Sequence, residues 1–523
     1  MGTHRISWCG FLSKMICLVA IVAATVATAQ ERPPNIVFML SDNVGFGELG
    51  AYGGGVLRGN PTPRLDRLAA EGTRFTNFNV EVECTPSRSA LMTGRLPVRS
   101  GTGRFAGPGL PGGLPPWEIT LGEVLSAAGY DTAIYGKWHL GDVPGRFPTD
   151  QGFDEWWGFP FSTDVSWYAT AVGFDPSVAQ VPYLLEGRKG ESVRQVEPYT
   201  LEKRPLIDAT IADKSVAYIE AHAKQQRPFF LFVSWSLPHH PTLPHPDFKG
   251  RSGNGDFSDA IIEHDQRVGQ VLDAIDRAGL ADRTLVIYAS DNGPDSADYP
   301  RVSFAGPFRG YLGSAYEGSI RTPMLTRWPG RVPAGRVTNE IVAMVDFFPT
   351  LAKLAGAKVP HGRAIDGVDE TGFLLGQKEK SNRESILIFS GNTLLAVKWR
   401  RFKVFFVGDS AEPRAADREW RRLWVPLVYN VEQDPREEID ISVRNTWIFG
   451  PTLRQVLPFV FSIDKEGLIT PGDDKPRAGK LEIPFLSAEQ LNVSMSAIKR
   501  KILKQRIGEF FSFGQGAEPE KAK

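Results

Sequence analysis

Between residues 211 and 290 the chain reads as helix, apolar run, helix, apolar run: "IADKSVAYIEAH", "PFFLFVSW", "DAIIEHDQRVGQVLDAIDRAG" and "TLVIYAS". This alternation constrains the fold more than any other feature. Apolar runs this continuous suit strands buried on both faces, and the helices between them serve as crossover connections. Such an order predicts a mostly parallel sheet covered on both sides. The chain begins the same way. "NIVFML" (35–40) lies between Pro34 and the polar Ser41-Asp42-Asn43, and "TPRLDRLAAEG" follows as a helix with Thr62 as N-cap, Pro63 at its first position and Gly72 as its stop. "TLGEVLSAAG" then places Thr120 and Glu123 in capping-box spacing and runs into the strand "YDTAIYG".

The pattern changes after the polar stretch "GQKEKSNRES" (376–385). "ILIFSG", "LLAVKWRRFKVFFV" and "WVPLVYNV" read as short antiparallel strands, and "SAEQLNVSMSAIKRKILKQRIGEFF" as a closing amphipathic helix. The expected class is therefore α/β. A mostly parallel mixed sheet sandwiched by helices occupies residues 30–380, and a smaller α+β unit with an antiparallel sheet occupies 381–523. Residues 1–29 read as a signal peptide: Arg5 and Lys14, an apolar run too short to span a bilayer, and the small-residue end Ala27-Thr28-Ala29. Its removal takes Cys9 and Cys17, so the exported chain keeps Cys84 alone and forms no internal disulfide. With 60 basic and 60 acidic residues the charge is balanced, which argues against nucleic acid or an anionic membrane as partner. No later segment is apolar and long enough to be a membrane span.

The chemistry gathers at strand ends. The first strand ends in Asp42-Asn43 and "TLVIYAS" in Asp291-Asn292. Ligands of open parallel sheets collect at the carboxyl ends of the strands. Two such pairs there would offer hard oxygens suited to Ca²⁺ or Mg²⁺ and not to zinc. Each pair alone has an ordinary use in capping helices and shaping turns, and only the repetition makes a metal site an equal reading. "GKWHLG" adds Lys137 and His139, whose side chains would share one side of an extended segment. "SLPHHP" adds His239 or His240 at a fourth strand end.

Around the remaining cysteine, "CTPSRSALMTGRLP" matches position for position the Cys-x-Pro-Ser-Arg-x-x-x-Leu/Met-Thr-Gly-Arg signature of type I sulfatases, and on it the chain resembles that family of the alkaline phosphatase superfamily. "PNIVFMLSDNVGFGELG", "GYDTAIYGKWHLG", "GFDEWWGFPFSTD", "SDNG" and "YEGSIRTP" extend the resemblance through nearly the whole chain. The resemblance implies an alkaline phosphatase-like fold and hydrolysis of sulfate esters. It implies that a maturation enzyme oxidises Cys84 to Cα-formylglycine, whose hydrate is the nucleophile. Carried over by position, Asp42, Asn43, Asp291 and Asn292 would hold Ca²⁺, or Mg²⁺, together with the converted Cys84. Arg88, Lys137, His139, Ser162 and His239 would be the catalytic and sulfate-contacting residues. His239 would protonate the leaving oxygen and His139 would assist release of sulfate. Pro86 favours a helix over "SRSALMTG" whose amide dipoles face residue 84.

Two positions depart from the family's pattern. Many members carry Asp at the position of Asn43, and a lysine at that of Leu312, for which Arg309 and Arg104 are open as replacements. Phosphonate monoester or phosphodiester hydrolysis by the same superfamily stays open as an alternative, as does a non-catalytic sulfoglycan-binding relative. The implied partners are a small-molecule or carbohydrate sulfate ester and the maturation enzyme, and the implied location is periplasmic, secreted or lysosomal. "VSWYATAVGFDPS" (165–177), with 101–118 and 446–461, supplies aromatic and glycine-rich segments able to stack on a sugar or aryl ring.

Overall fold

The computed structural model describes residues 2, 32–105, 107–108, 112–295, 303–409 and 420–467. The signal-peptide segment and the closing helix expected over 487–511 lie outside the described residues. Within them an eleven-stranded sheet comprises β1 (Asn35–Asp42), β2 (Thr73–Asn79), β3 (Asp131–Lys137), β4 (Glu155–Phe159), β5 (Tyr183–Arg188), β6 (Arg194–Pro198), β7 (Phe229–Pro238), β8 (Thr284–Ser290), β9 (Arg321–Arg327), β10 (Arg336–Thr338) and β11 (Val342–Ala343). The order is β10-β2-β9-β8-β1-β7-β3-β4-β5-β6, with β11 also on β2. The centre from β8 to β4 is parallel; β9, β5 and β6 join antiparallel. This is the mixed, mostly parallel sheet that the helix and strand alternation predicts.

β1, β7 and β8 are buried along their whole lengths, as their unbroken apolar runs require. Alternate residues serve opposite cores. Ile36, Phe38 and Leu40 pack with Leu91, Leu121 and Phe348 from the helices Cys84–Thr93, Leu121–Ala127 and Phe347–Leu354. Val37 and Met39 face the other way, onto Leu65, Ile211 and Val268 from the helices Pro63–Glu71, Ile207–His222 and Asp256–Arg277. Each such side chain stabilises the fold by roughly 1.5–3 kcal/mol.

Thr120 and Glu123 form the expected capping box, at 3.1 and 2.7 Å. Thr62 differs from expectation. It is the N-cap residue but its side chain makes no cap bond; the Asp265 carboxylate accepts from the amides of Arg64 and Leu65 instead, at 3.1 and 2.9 Å. A carboxylate delivered by a neighbouring helix takes over the first-turn donors and ties two helices together.

A second sheet, antiparallel in the order β12-β13-β14-β15, comprises β12 (Ser385–Ser390), β13 (Thr393–Trp399), β14 (Phe402–Asp409) and β15 (Trp420–Asn430). The polar stretch before it is fastened down: Arg383 Nε donates to Asp346 Oδ2 at 2.6 Å and Ser381 Oγ to Ile341 O at 2.6 Å. Among the described residues no helix is long and apolar enough to cross a membrane.

Candidate active site

The four strands β8, β1, β7 and β3 stand side by side and parallel, so their carboxyl ends meet at one edge of the sheet. β1 ends on Asp42 and β3 on Lys137, while Asp291 and His239 directly follow β8 and β7. The helix Cys84–Thr93 brings Cys84 to the same place as its first residue, and all ten of its residues are buried. It starts three residues earlier than "SRSALMTG" predicts, because the Glu83 carbonyl already accepts from the Ser87 amide at 3.1 Å. One oxygen of Asp42, the Cys84 sulfur and one ring nitrogen of His239 all lie within 4.8 Å of one another.

Lys137 sits at the centre. Its Nζ is 2.7 Å from Asp42 Oδ2 and 3.1 Å from Ser162 Oγ, with no exposure to solvent. Ser162 Oγ is in turn 2.8 Å from His239 Nε2. Arg88 Nε and Nη2 lie 3.0 and 2.8 Å from Asp291 Oδ2, and its Nη1 donates to Lys137 O and Ser234 Oγ at 3.1 and 2.6 Å. His139 is buried among these groups, and the Thr85 hydroxyl donates to its carbonyl at 3.2 Å. It gets there differently from the reading of an extended segment. Its φ is 61°, a left-handed turn, as is Asn43 at 69°. Such strain in residues with side chains persists where the surroundings over-determine it, commonly at functional sites.

Burial away from water governs the charges. Burial raises Asp42, but the opposing fields of Lys137, His239 and Arg88 win and hold its carboxyl at about 2. Asp291 goes the other way: burial and the Asp42 charge push it to about 6 against Arg88 and Lys137. His139 is held well below the usual histidine range by burial and by the charges of Lys137 and Arg88. Burial pushes the Cys84 thiol up to about 12, so an unmodified thiol here is neutral and a poor nucleophile.

Lys137 and Arg88 offset the charges of Asp42 and Asp291 but leave oxygens of the cluster unsatisfied. Asp42 Oδ1 and Asn292 Oδ1 are buried acceptors with no hydrogen-bond partner among the described residues. Asn292 Nδ2 donates to Asn43 Oδ1 at 2.5 Å, and Asn43 N to Asp291 Oδ1 at 3.3 Å, so the four residues form one cluster. Unpaired oxygens beside paired carboxylates fit a hard divalent cation.

Sequence reasoning missed the residues that hold His239. Thr163 Oγ1 donates to His240 O at 2.6 Å and lies 3.0 Å from His239 Nδ1. Its one hydrogen is thereby committed, so Nδ1 carries the ring proton and Nε2 faces Ser162. The buried Arg204 donates to His239 O at 3.0 Å and to Ser236 Oγ at 2.9 Å. His240 turns away, with Nδ1 2.9 Å from Asp295 Oδ2. Of the candidates to replace a cation at position 312, Arg309 donates to Glu437 O at 3.3 Å and lies over the Tyr316 ring at 4.2 Å. Arg104 is exposed beside Gly391. The Leu312 amide donates to Pro294 O at 2.9 Å.

The sulfatase family profile matches residues 34–357. The chain belongs to the sulfatase family. It is 38% identical over 450 residues to human arylsulfatase A, covering 80% of this chain and 86% of that one. It is 32% identical over 477 residues to N-acetylgalactosamine-6-sulfatase of Canis lupus familiaris, covering 85% and 88%. The crystal structure of the PsFucS1 sulfatase from Pseudoalteromonas sp. superposes with a TM-score of 0.80 at 31% identity, covering 88% of this sulfatase and 96% of the other. This sulfatase is thus an enzyme that hydrolyses sulfate esters, on the alkaline phosphatase-like fold that the strand order already displays.

Proposed function

We propose that this sulfatase is an exported enzyme that works through a formylglycine made from Cys84 and a divalent cation, Ca²⁺ or Mg²⁺, held by Asp42, Asn43, Asp291, Asn292 and the converted side chain. The observation that carries this reading is the convergence of the Asp42, Cys84 and His239 donor atoms within 4.8 Å of one another, beside the buried Lys137. When present, the hydrated aldehyde supplies an oxygen nucleophile and the cation supplies positive charge to the sulfate oxygens. The chain's own residues do the rest. Lys137 and Ser162 donate to the sulfate oxygens and offset their charge where no water competes. Arg88 fixes Asp291 and the end of β3. His239, with Nδ1 already protonated, gains a second proton at Nε2, which the bound sulfate's negative charge favours, and gives it to the leaving oxygen. His139, kept neutral, accepts a proton when sulfate departs.

Pro86, Ser87 and Arg88 would also be the residues that the maturation enzyme reads. All are buried in the folded chain, so conversion has to precede folding. Mass spectrometry of the peptide containing residue 84, after expression with a maturation enzyme, tests the reading: formylglycine is expected, and an intact thiol in active protein overturns it. Turnover of 4-nitrophenyl sulfate above the corresponding phosphate and phosphonate monoester is expected, and the reverse order would return the reaction to phosphonate ester hydrolysis.

A further inference from the structure

Ser162, which bridges Lys137 and His239, is immediately followed by the 3₁₀ helix Thr163–Thr170. In a 3₁₀ helix residues three apart stand one above the other, so Asp164 and Trp167 share a face. Val165 and Ser166 are buried and anchor the helix. The Trp167 ring stacks on that of His240, with centroids 5.6 Å apart and planes at 25°, and the His240 ring lies 4.3 Å from that of His239. His240 is itself fixed, by Asp295 at its ring and by the Thr163 hydroxyl at its carbonyl. Trp167 is therefore a rigid indole that continues the line of the two histidines outward, while 43% of the residue is open to solvent. Asp164 Oδ1 on the same face is a buried acceptor without a hydrogen-bond partner among the described residues.

This placement has a direction. In the reaction proposed above, on which the following rests, His239 gives its proton to the leaving oxygen, so whatever carries that oxygen extends past His239 towards His240 and Trp167. The geometry points to Trp167 and Asp164 as the subsite for the leaving group, and to a sugar ring as its occupant. The indole offers an apolar platform for the C–H face of a pyranose. Asp164 Oδ1 offers an acceptor for a ring hydroxyl. A plain aryl group would use the platform and leave the buried acceptor unpaired, and sites built to bond a hydroxyl discriminate strongly against analogues that lack it.

Steady-state kinetics of the matured enzyme on a panel of hexose O-sulfates and on 4-nitrophenyl sulfate tests this. Trp167→Ala is expected to raise KM for the turned-over hexose sulfates about tenfold or more, with kcat within about threefold, and Trp167→Phe to recover most of that loss. Asp164→Ala is expected to raise KM for hexose sulfates at least about fivefold more than for the aryl ester. Trp424→Ala, at a fully exposed tryptophan of β15, serves as the control and changes neither. Melting curves of each variant establish that it folds. A KM change below about twofold for Trp167→Ala, equal losses on sugar and aryl esters for Asp164→Ala, or a wild type that cleaves the aryl ester and no hexose sulfate would each overturn the subsite. A matured wild type that cleaves no sulfate ester at all would overturn the proposed reaction as well.

Discussion

Lys137 Nζ lies 2.7 Å from Asp42 Oδ2, and neither side chain has any exposure to solvent. The pair joins the ends of β3 and β1, and the same ammonium reaches Ser162. Lys137→Ala removes the cation nearest the proposed sulfate position and leaves Asp42 without its main counter-charge. Turnover of 4-nitrophenyl sulfate is expected to fall roughly a thousandfold or more. Breaking a buried pair from one side also costs about 3–5 kcal/mol of stability, readable in urea unfolding. A loss of turnover below tenfold would remove Lys137 from the site's chemistry.

The unpaired oxygens of Asp42 and Asn292 give a prediction for metal removal. Dialysis against a chelator is expected to abolish turnover and to lower the melting temperature, and added Ca²⁺ or Mg²⁺ to restore both. Saturation at a hundred times the dissociation constant is worth about 2.7 kcal/mol. With Asn43 where many family members carry Asp, the site has two carboxylates instead of three, so millimolar cation is the appropriate range for readdition. A melting temperature indifferent to chelator and cation would count against the cluster as a metal site.

Arg204 touches no reacting group in the proposed site. It holds the backbone of His239 at 3.0 Å and is itself braced by Ser236 and by Asp208, at 2.9 and 3.6 Å. Arg204→Lys keeps the charge but cannot span both partners in the same fork. The expected result is a kcat lower by roughly ten- to a hundredfold with KM within about threefold, because the ring that delivers the proton loses its fixed position. An unchanged kcat would show that Thr163 alone suffices to hold the histidine.

The sequence was most legible where one local rule sufficed. Unbroken apolar runs identified the buried strands, and Asp42, Lys137, His239 and Asp291 drew attention because they stand where parallel strands end. Less legible were groups whose role depends on what lies opposite. Ser234 sits inside an apolar strand and reads as nothing until Arg88 and the Lys137 carbonyl are seen on either side of it. Thr62 looked like a helix cap, yet Asp265, two hundred residues away in sequence, does the capping. His139 reaches the site through a left-handed turn that no periodicity announces. Arg204 carried no signal, since a buried arginine in a helix turn looks like any surface arginine until its carbonyl acceptors are in place.

Where the two sheets meet, Glu317 is fully buried with Lys398 Nζ at 2.6 Å and Lys403 Nζ at 3.0 Å, and Lys403 also reaches Glu437 at 2.9 Å. Lys398 further donates to Asn77 and Asn79 near the end of β2, at 2.7 and 3.0 Å. The network thus fastens β13 and β14 to the main sheet. Glu317→Gln leaves two buried ammonium groups short of charge and is expected to destabilise by about 3–5 kcal/mol. Replacing Glu317, Lys398, Lys403 and Glu437 together by apolar residues of similar volume is expected to cost much less, since each buried carboxylate and ammonium leaves with its partner. Arg321, 3.2 Å from Glu317, keeps its bonds to Thr76 O and Asn339 Oδ1. Urea unfolding followed by tryptophan fluorescence separates the two outcomes, and equal losses would mean that packing, not charge, holds the seam.

The dependence of stability on pH follows from two sets of buried groups. Glu81 lines a cavity of about 580 Å³ together with Arg99, Asp366 and Arg383. Burial and the charge of Asp366 push its carboxyl to about 8 despite Arg383. Glu48, Glu263, Asp265 and Glu370 are pushed to about 7, in each case chiefly by burial. Between their ordinary values and these, the folded chain keeps protons that the unfolded chain has released, so stability falls as pH rises through that window. His264 has the opposite sign. Buried against Trp235 and Tyr288, it is lowered to about 4 from 6.5. Between those values the unfolded chain holds the extra proton, and stability falls as pH falls. Five groups act in the first sense over the window in which His264 acts in the second, so the melting temperature is expected to be highest near about pH 4–4.5 and to decline towards pH 8. Glu81→Gln, uncharged at every pH, is expected to flatten the alkaline decline and to raise the pH 8 melting temperature by roughly 2–4 °C relative to its effect at pH 5. His264→Gln is expected to steepen the decline between about pH 4 and 6.5 and to leave its course above that unchanged. Differential scanning calorimetry of the three proteins from pH 4 to 8 reads both effects, and a decline equally steep in Glu81→Gln would remove Glu81 as one of its sources.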